Sequence, residues 1–270
     1  MKKLTESDRR DLLEYLLFEP EINAFFIGVI ENHSLECDEV TVYVEDSNGD
    51  GTWDVVLLRY CENYIIYGNK ENFDLISVVN FLQRERILDS VNGKASIIRK
   101  IAPYFPQMQM EEKSVLRLDK NSEAPPENNK TKVRVLTPDD ARKITNLYAQ
   151  NENYRAQDLQ SREKATAEHR ANLAGGGIAV GLIYNHKLVS VAEIIADNDM
   201  IGLIVGVATH PKYYGRGFAT QTIAALCAEA FRRGKKYVCV LHDESDNISI
   251  LKHVGFQEKS HYSLLHKQYA

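Results

Sequence analysis

Gly215 and Gly217 flank Arg216 in the segment IGLIVGVATHPKYYGRGFATQTIAALCAEAFRRG. It reads as an apolar strand, a glycine-bearing loop and an amphipathic helix. Glycine has no Cβ, so the backbone of such a loop can approach a ligand closely. The first turn of the helix has unpaired N–H groups, and with the helix dipole they form an anion site suited to a pyrophosphate. Arg216 adds a fixed positive charge. A tight strand-to-helix turn would also use glycine, but the flanking strand and helix favour a phosphate loop. A second candidate is Glu193, which interrupts the apolar run at 191–196. A carboxylate is costly to bury without a purpose. Glu193 is either a working carboxylate or a strand residue whose face opens to solvent. His242 and Glu244 stand just past the next strand.

Other chemistry-bearing types carry less. Asp46-Ser-Asn-Gly-Asp-Gly51 resembles the start of a calcium loop, but its twelfth position is Leu57 where a bidentate Glu belongs. A hairpin turn fits that stretch better. The eight histidines include no HExxH pattern, and the four cysteines form no CxxC pair. No metal site is expected. Asp243 and Ser245 neighbour His242 without a hydrolase signature. Tyr60, Tyr64 and Tyr67 read as core aromatics.

The elements that must position these residues follow from periodicity. The stretch NSEAPPENNKTK at 121–132 has two adjacent prolines and no large apolar residue, and reads as a linker. Before it, helices are expected at about 6–18, 23–31 and 74–83. Strands are expected at 40–44, 53–60, 64–67, 95–98 and 115–118. After it, a strand at 132–136 leads to Thr137-Pro138, an N-cap and first-turn proline. Further helices are expected at 162–173, 218–233 and 247–253, and strands at 178–184, 188–196, 201–209, 237–241 and 262–266. The fold class is therefore α/β, a mixed sheet with flanking helices. Two domains are expected, 1–120 and 133–270, joined by the linker 121–132.

Composition agrees with a globular chain. Of 270 residues, 44% are hydrophobic and 26% charged, which excludes a disordered chain, a collagen and a coiled-coil rod. No apolar run approaches the ~18 residues that would span a bilayer. The N-terminus is too charged for a secretory signal. Unpaired cysteines at this length point to reduced thiols and a cytoplasmic location. The net charge of −5 is uneven. Residues 1–120 hold 14 basic and 22 acidic side chains, leaving 19 of the 33 basic and 16 of the 38 acidic ones to the rest. The acidic half is a poor nucleic-acid binder, and the mildly basic half suits a small anionic ligand.

The loop resembles that of the Gcn5-related N-acetyltransferases (GNAT), written Arg/Gln-x-x-Gly-x-Gly/Ala after a strand often written V-x-x-x-P. Val207-Ala-Thr-His-Pro211 precedes Tyr214-Gly-Arg-Gly217-Phe-Ala219 here. Tyr214 stands where the family usually has Arg or Gln. The resemblance runs from about Val133 to the C-terminus and includes Gly255-Phe256. More faintly, FEPEINAFFIGVIEN resembles the N-terminal half of a bacterial two-domain group, without a GxG loop. The resemblance implies tandem domains with a degenerate, CoA-free first one, and a second transferring an acetyl group from acetyl-CoA to a primary amine. The pyrophosphate would sit on the amides of Tyr214, Gly215, Arg216, Gly217, Phe218, Ala219 and Thr220. The pantetheine would lie along Val205, Val207, Ala208 and Thr209 like an added strand. The acceptor would be a small molecule or a peptide amine, with no nucleic acid and no membrane involved, and with a monomer or a homodimer both open. A non-catalytic CoA-binding or regulatory module is the alternative.

Such chemistry needs a base for the amine, a polarised thioester carbonyl and an exit for the thiolate. Glu193 is the base candidate, and Glu244 a weaker one. The family often places a Tyr acid four residues before the Gly of Gly-Phe, where this chain has Leu251. Tyr262 or Tyr213 could substitute, or a thiol of pKa ~8.5 could leave unaided.

Overall fold

The computed structural model describes residues 1–46, 51–120, 132–151, 159–195, 198–243 and 248–267. In chain order the elements are β1 (Lys2–Lys3), α1 (Arg9–Leu16), α2 (Ala24–Asn32), β2 (Val40–Glu45), β3 (Val55–Tyr60), β4 (Asn63–Tyr67), α3 (Leu75–Arg84), β5 (Ser90–Lys94), α4 (Ala95–Ile101) and β6 (Met108–Asp119). They continue with β7 (Lys132–Val135), α5 (Ala141–Tyr148), α6 (Leu159–Ala174), β8 (Ile178–Tyr184), β9 (Lys187–Ile194), β10 (Ile201–Thr209), α7 (Phe218–Arg232), β11 (Tyr237–Asp243), α8 (Ser249–Val254) and β12 (Gln257–Lys267). The α/β class is as expected.

The chain divides into two compact units. The first holds 1–115, 241–244 and 258–270, the second 116–240 and 245–257. Of the linker expected at 121–132, residues 121–131 lie outside the described residues. The last strand, from residue 258 on, belongs to the first unit.

In the first unit the strands run β1-β2-β3-β4-β5-β12-β6. β2, β3 and β4 form antiparallel hairpins, with Glu45 opposite Val55 at the first turn. The hairpin reading of 46–51 agrees with that pairing, although 47–50 lie outside the described residues. β4 and β5 are parallel, with α3 between them in sequence. Asp74 caps α3 by accepting from the Ser77 N–H at 3.0 Å, so a carboxylate occupies that helix start. The core under this sheet gathers Leu57, Tyr64, Ile66, Val78, Leu82, Ile98 and Leu265.

The strand expected at 95–98 is a helix. ASIIRKI looks strand-like because of its β-branched residues. In α4 Ala95, Ile97, Ile98 and Ile101 are all buried, which a helix achieves by turning them inward. The strand is the preceding SVNGK, whose Gly93 sits at φ 153 with the Ile66 carbonyl oxygen 2.0 Å from where a Cβ would be. A side chain there would block the parallel pairing.

The second unit orders its strands β11-β10-β9-β8-β7. Pairing is antiparallel from β7 to β10 and parallel between β10 and β11, which α7 connects. Ile223, Leu226, Cys227 and Ala230 recur at helical spacing along α7 and enter the core beneath β8, β9 and β10. This burial raises the Cys227 thiol to about 12. Gly234 at φ 97 ends the helix, as an unhindered left-handed residue should. Thr137 and Asp140 form a reciprocal cap ahead of α5, and Asp140 also accepts from Arg134 and Lys143 at 2.8 and 2.9 Å.

All four cysteines are free thiols. Among the described residues no helix is long and apolar enough to cross a membrane, and no group of three or more His, Cys, Asp or Glu side chains could hold a metal.

Candidate active site

The site is built where β10 meets α7. β10 pairs with β9 in a register that slips between Ile204 and Gly206, leaving Val205 as a bulge, 53% exposed. A bulge bends its strand and re-aims the backbone. Past it, β10 stays bonded to β9 as far as Thr209 opposite Ser190. Its register with β11 ends at Ile204 opposite Val240. Among the described residues, the far edge of 205–209 therefore carries no registered strand, and its N–H and C=O groups can pair with an extended ligand. Val207 is half-buried, while Ala208 and Thr209 are buried. The Thr209 and Ser190 hydroxyls bond each other at 2.8 Å.

Beyond a short turn at Pro211–Tyr213, Gly215 and Gly217 stand at φ 74 and 73. Nothing lies within 4 Å of where a Cβ would be at either glycine. The space over the loop is open, and the backbone conformation is one that L side chains disfavour. Gly217 is the N-cap of α7 and provides no side chain to close the first turn, so those N–H groups face the opening. Arg216 is exposed, with its guanidinium 5.3 Å from the Tyr213 ring centroid and 5.9 Å from that of Tyr184. Phe218 itself is buried against Leu182 and Val189, so only its backbone faces the loop side. Ala219 and Thr220 complete the first turn, half-buried. Tyr214 is exposed and donates its hydroxyl to Asn151 at 2.5 Å. That bond ties the loop to Asn151, just past the end of α5.

Glu193 lies on β9 directly opposite Gly206, beside the bulge. Of its two readings the solvent-facing one fails, since the side chain is only 3% exposed. Its Oε2 is 3.0 Å from Nδ1 of His169 on α6. The His169 ring stacks on Tyr148 of α5, with centroids 5.4 Å apart and planes within 12°. The Tyr148 hydroxyl would lie 2.2 Å from a Cβ at position 206, so a glycine is required where the phenol crosses the strand. Sequence reading missed both His169 and Tyr148. α6, LQSREKATAEHRANLA, shows no apolar stripe to mark an inward face; only the tertiary placement of the histidine gives it meaning.

The remaining candidates fall elsewhere. Tyr262 pairs opposite Lys94 in the first unit's sheet, is buried, and has its phenol pushed up by that burial. His242 is buried and counts with the first unit. Glu244 lies outside the described residues. Tyr213 packs between Tyr184, Phe218 and His210. Leu251 lies in the core that α7 and α8 share, so this position is packed with apolar side chains.

Residues 141–256 match the acetyltransferase (GNAT) family model. The chain thus contains a GNAT domain, on a fold that serves acyl transfer. Several solved structures are similar across nearly the whole chain. A Drosophila protein aligns over 99% of this chain and 98% of its own, at 12% identity and TM-score 0.72. A tandem GNAT protein from the clavulanic acid biosynthesis pathway aligns over 98% and 96%, at 11% and 0.62. A GCN5-related N-acetyltransferase from Sphaerobacter thermophilus aligns over 98% and 94%, at 13% and 0.60. At such identities the likeness is one of fold, here the tandem GNAT fold. No curated protein matches the sequence significantly.

Proposed function

We propose that the protein transfers an acetyl group from acetyl-CoA to a primary amine, with the second unit binding the cofactor. The observation that carries this reading is the open loop at Gly215 and Gly217, which joins an uncapped helix start to a strand edge free past Ile204. These features fit the two parts of coenzyme A. The loop amides from Tyr214 to Thr220 would hold the pyrophosphate, with Arg216 adding charge. The edge of Val205, Val207, Ala208 and Thr209 would pair with the pantetheine amides as an added strand.

Acetyl-CoA supplies an acyl group already activated as a thioester. The chain's own tasks are to hold it against the bulge, to admit a neutral amine and to receive the amine's proton. The buried carboxylate of Glu193, opposite Gly206, provides the negative charge that draws that proton inward. The acceptor is a small molecule or a peptide amine, and the expected location is the cytoplasm. The test combines CoA titration by calorimetry with thiol release from acetyl-CoA against amino acids, polyamines and aminoglycosides. Binding with turnover on an amine is expected. Binding without any turnover would favour a non-catalytic CoA-binding module, and no binding would overturn the reading.

A further inference from the structure

We propose that His169, oriented by Glu193, is the group that takes the proton from the acceptor amine; this rests on the acyl-transfer reading above. Glu193 is too enclosed to meet a substrate, with a side chain 3% exposed. The His169 side chain is 21% exposed, so the imidazole is the reachable member of the pair. An ionised carboxylate can only accept a hydrogen bond. The 3.0 Å contact to Glu193 Oε2 therefore places the imidazole hydrogen on Nδ1 and leaves Nε2 as a bare lone pair. Among the described residues Nε2 has no hydrogen-bond partner. Tyr148 fixes the plane of the ring by stacking on it, and rests its own hydroxyl on Gly206. The ring is thus tied at two points, through Glu193 and through Tyr148, to the residue beside the bulge.

In the step itself, Nε2 takes the proton that the acceptor nitrogen sheds as its bond to the acyl carbon forms and the carbon–sulfur bond breaks. Sulfur keeps the bonding electron pair, and the imidazolium, balanced by Glu193, returns its proton to the thiolate or to solvent. The groups around the ring leave this charge to Glu193. Tyr148 from α5 presents its ring face to the imidazole. Asp140, in the turn before α5, is already compensated by Arg134 and Lys143.

The experiment uses the full-length protein and the variants His169→Gln and Glu193→Gln, with acetyl-CoA and the best amine from the panel. We expect His169→Gln to lower kcat about 100-fold near pH 7, with CoA affinity within twofold, and the loss to shrink as pH rises. Glu193→Gln keeps shape and should lower kcat about 10-fold. Independently of turnover, the assigned 15N NMR signals of the His169 ring should show the Nδ1–H tautomer that the Glu193 contact demands. A predominant Nε2–H tautomer, or His169→Gln with wild-type kcat and pH profile, would overturn the proposal while leaving acyl transfer standing. Failure of the wild-type protein to bind CoA would overturn both. Should His169→Gln not fold, the tautomer and the Glu193→Gln kinetics still decide.

Discussion

Gly217 combines three properties that a substitution would break separately. Its φ of 73 strains any L side chain by roughly 1 kcal/mol. Its missing Cβ faces open space, so no clash follows. It also stands at the positive end of α7, where an anion is attracted. Gly217→Glu should therefore cost only a few degrees in Tm yet reduce CoA affinity at least about 100-fold, since the carboxylate takes the pyrophosphate's place. Arg216→Ala should weaken binding by about 1–2 kcal/mol, the size of one charge-assisted contact. Calorimetric titration of both variants checks this, and unchanged affinity in a folded Gly217→Glu protein would remove the phosphate loop. This loop is legible in the sequence because glycine's permissiveness is a local property. The pairing of Glu193 with His169 spans 24 residues and depends on how α6 packs, so only half of it, the odd carboxylate in an apolar strand, stands out beforehand.

Periodicity located most elements, and it failed where burial on all sides erased it. α4 is such a case: a short apolar helix and a buried strand have the same composition. β6 fails for the opposite reason: the first half of MQMEEKSVLRLD is exposed or half-buried and has no sustained apolar alternation, so a strand is expected in the second half alone. The position of Leu251 on α8 is a subtler matter, because family alignment suggested a site for a phenol and packing shows a core. Leu251→Tyr should overpack that core and destabilise the protein by about 1–3 kcal/mol, without improving thiol release. A thermal melt at or above the wild-type midpoint would mean that position 251 has room. α7 carries its own pH dependence. Bonds from Arg232 and then Arg233 hold Glu229 down to about 2, below its ordinary 4.5. A depressed carboxyl stabilises the fold above its unfolded value and loses that contribution as pH falls through the folded one. Between about pH 4.5 and 2 the wild-type melting temperature should fall more steeply than that of Glu229→Gln. Both arginines are partly exposed, so salt should reduce the difference. Parallel curves for the two proteins would show that the cluster contributes nothing.

The two units do not follow one another along the sequence. β12 closes the sequence, yet it lies between β5 and β6 in the first unit's sheet. Ser263, Leu264 and Leu265 pair with Gly93, Asn92 and Val91, and Leu265 enters the core with Leu57, Ile66 and Ile98. Lys267 adds an ion pair to Asp89 at 3.1 Å. Removing an interior strand leaves two rows of backbone N–H and C=O groups without partners and a cleft in the core, whereas removing an edge strand exposes one row. A chain ending at residue 256 retains the entire cofactor loop and all of 1–120, so a reading of two sequential domains expects its first unit to fold normally. The strand order gives the opposite result. In that truncation, amide hydrogen exchange should accelerate at least about 100-fold in β4, β5 and α4, while α7 should keep its protection better, its core partners Ile178, Ala192 and Val238 all being retained. A fragment of residues 1–120 lacks the same strand and should show weak protection in those segments, regained on adding a peptide of residues 257–267. If β5 in the truncated protein exchanges as slowly as in the full chain, β12 is dispensable and the first unit is complete without it.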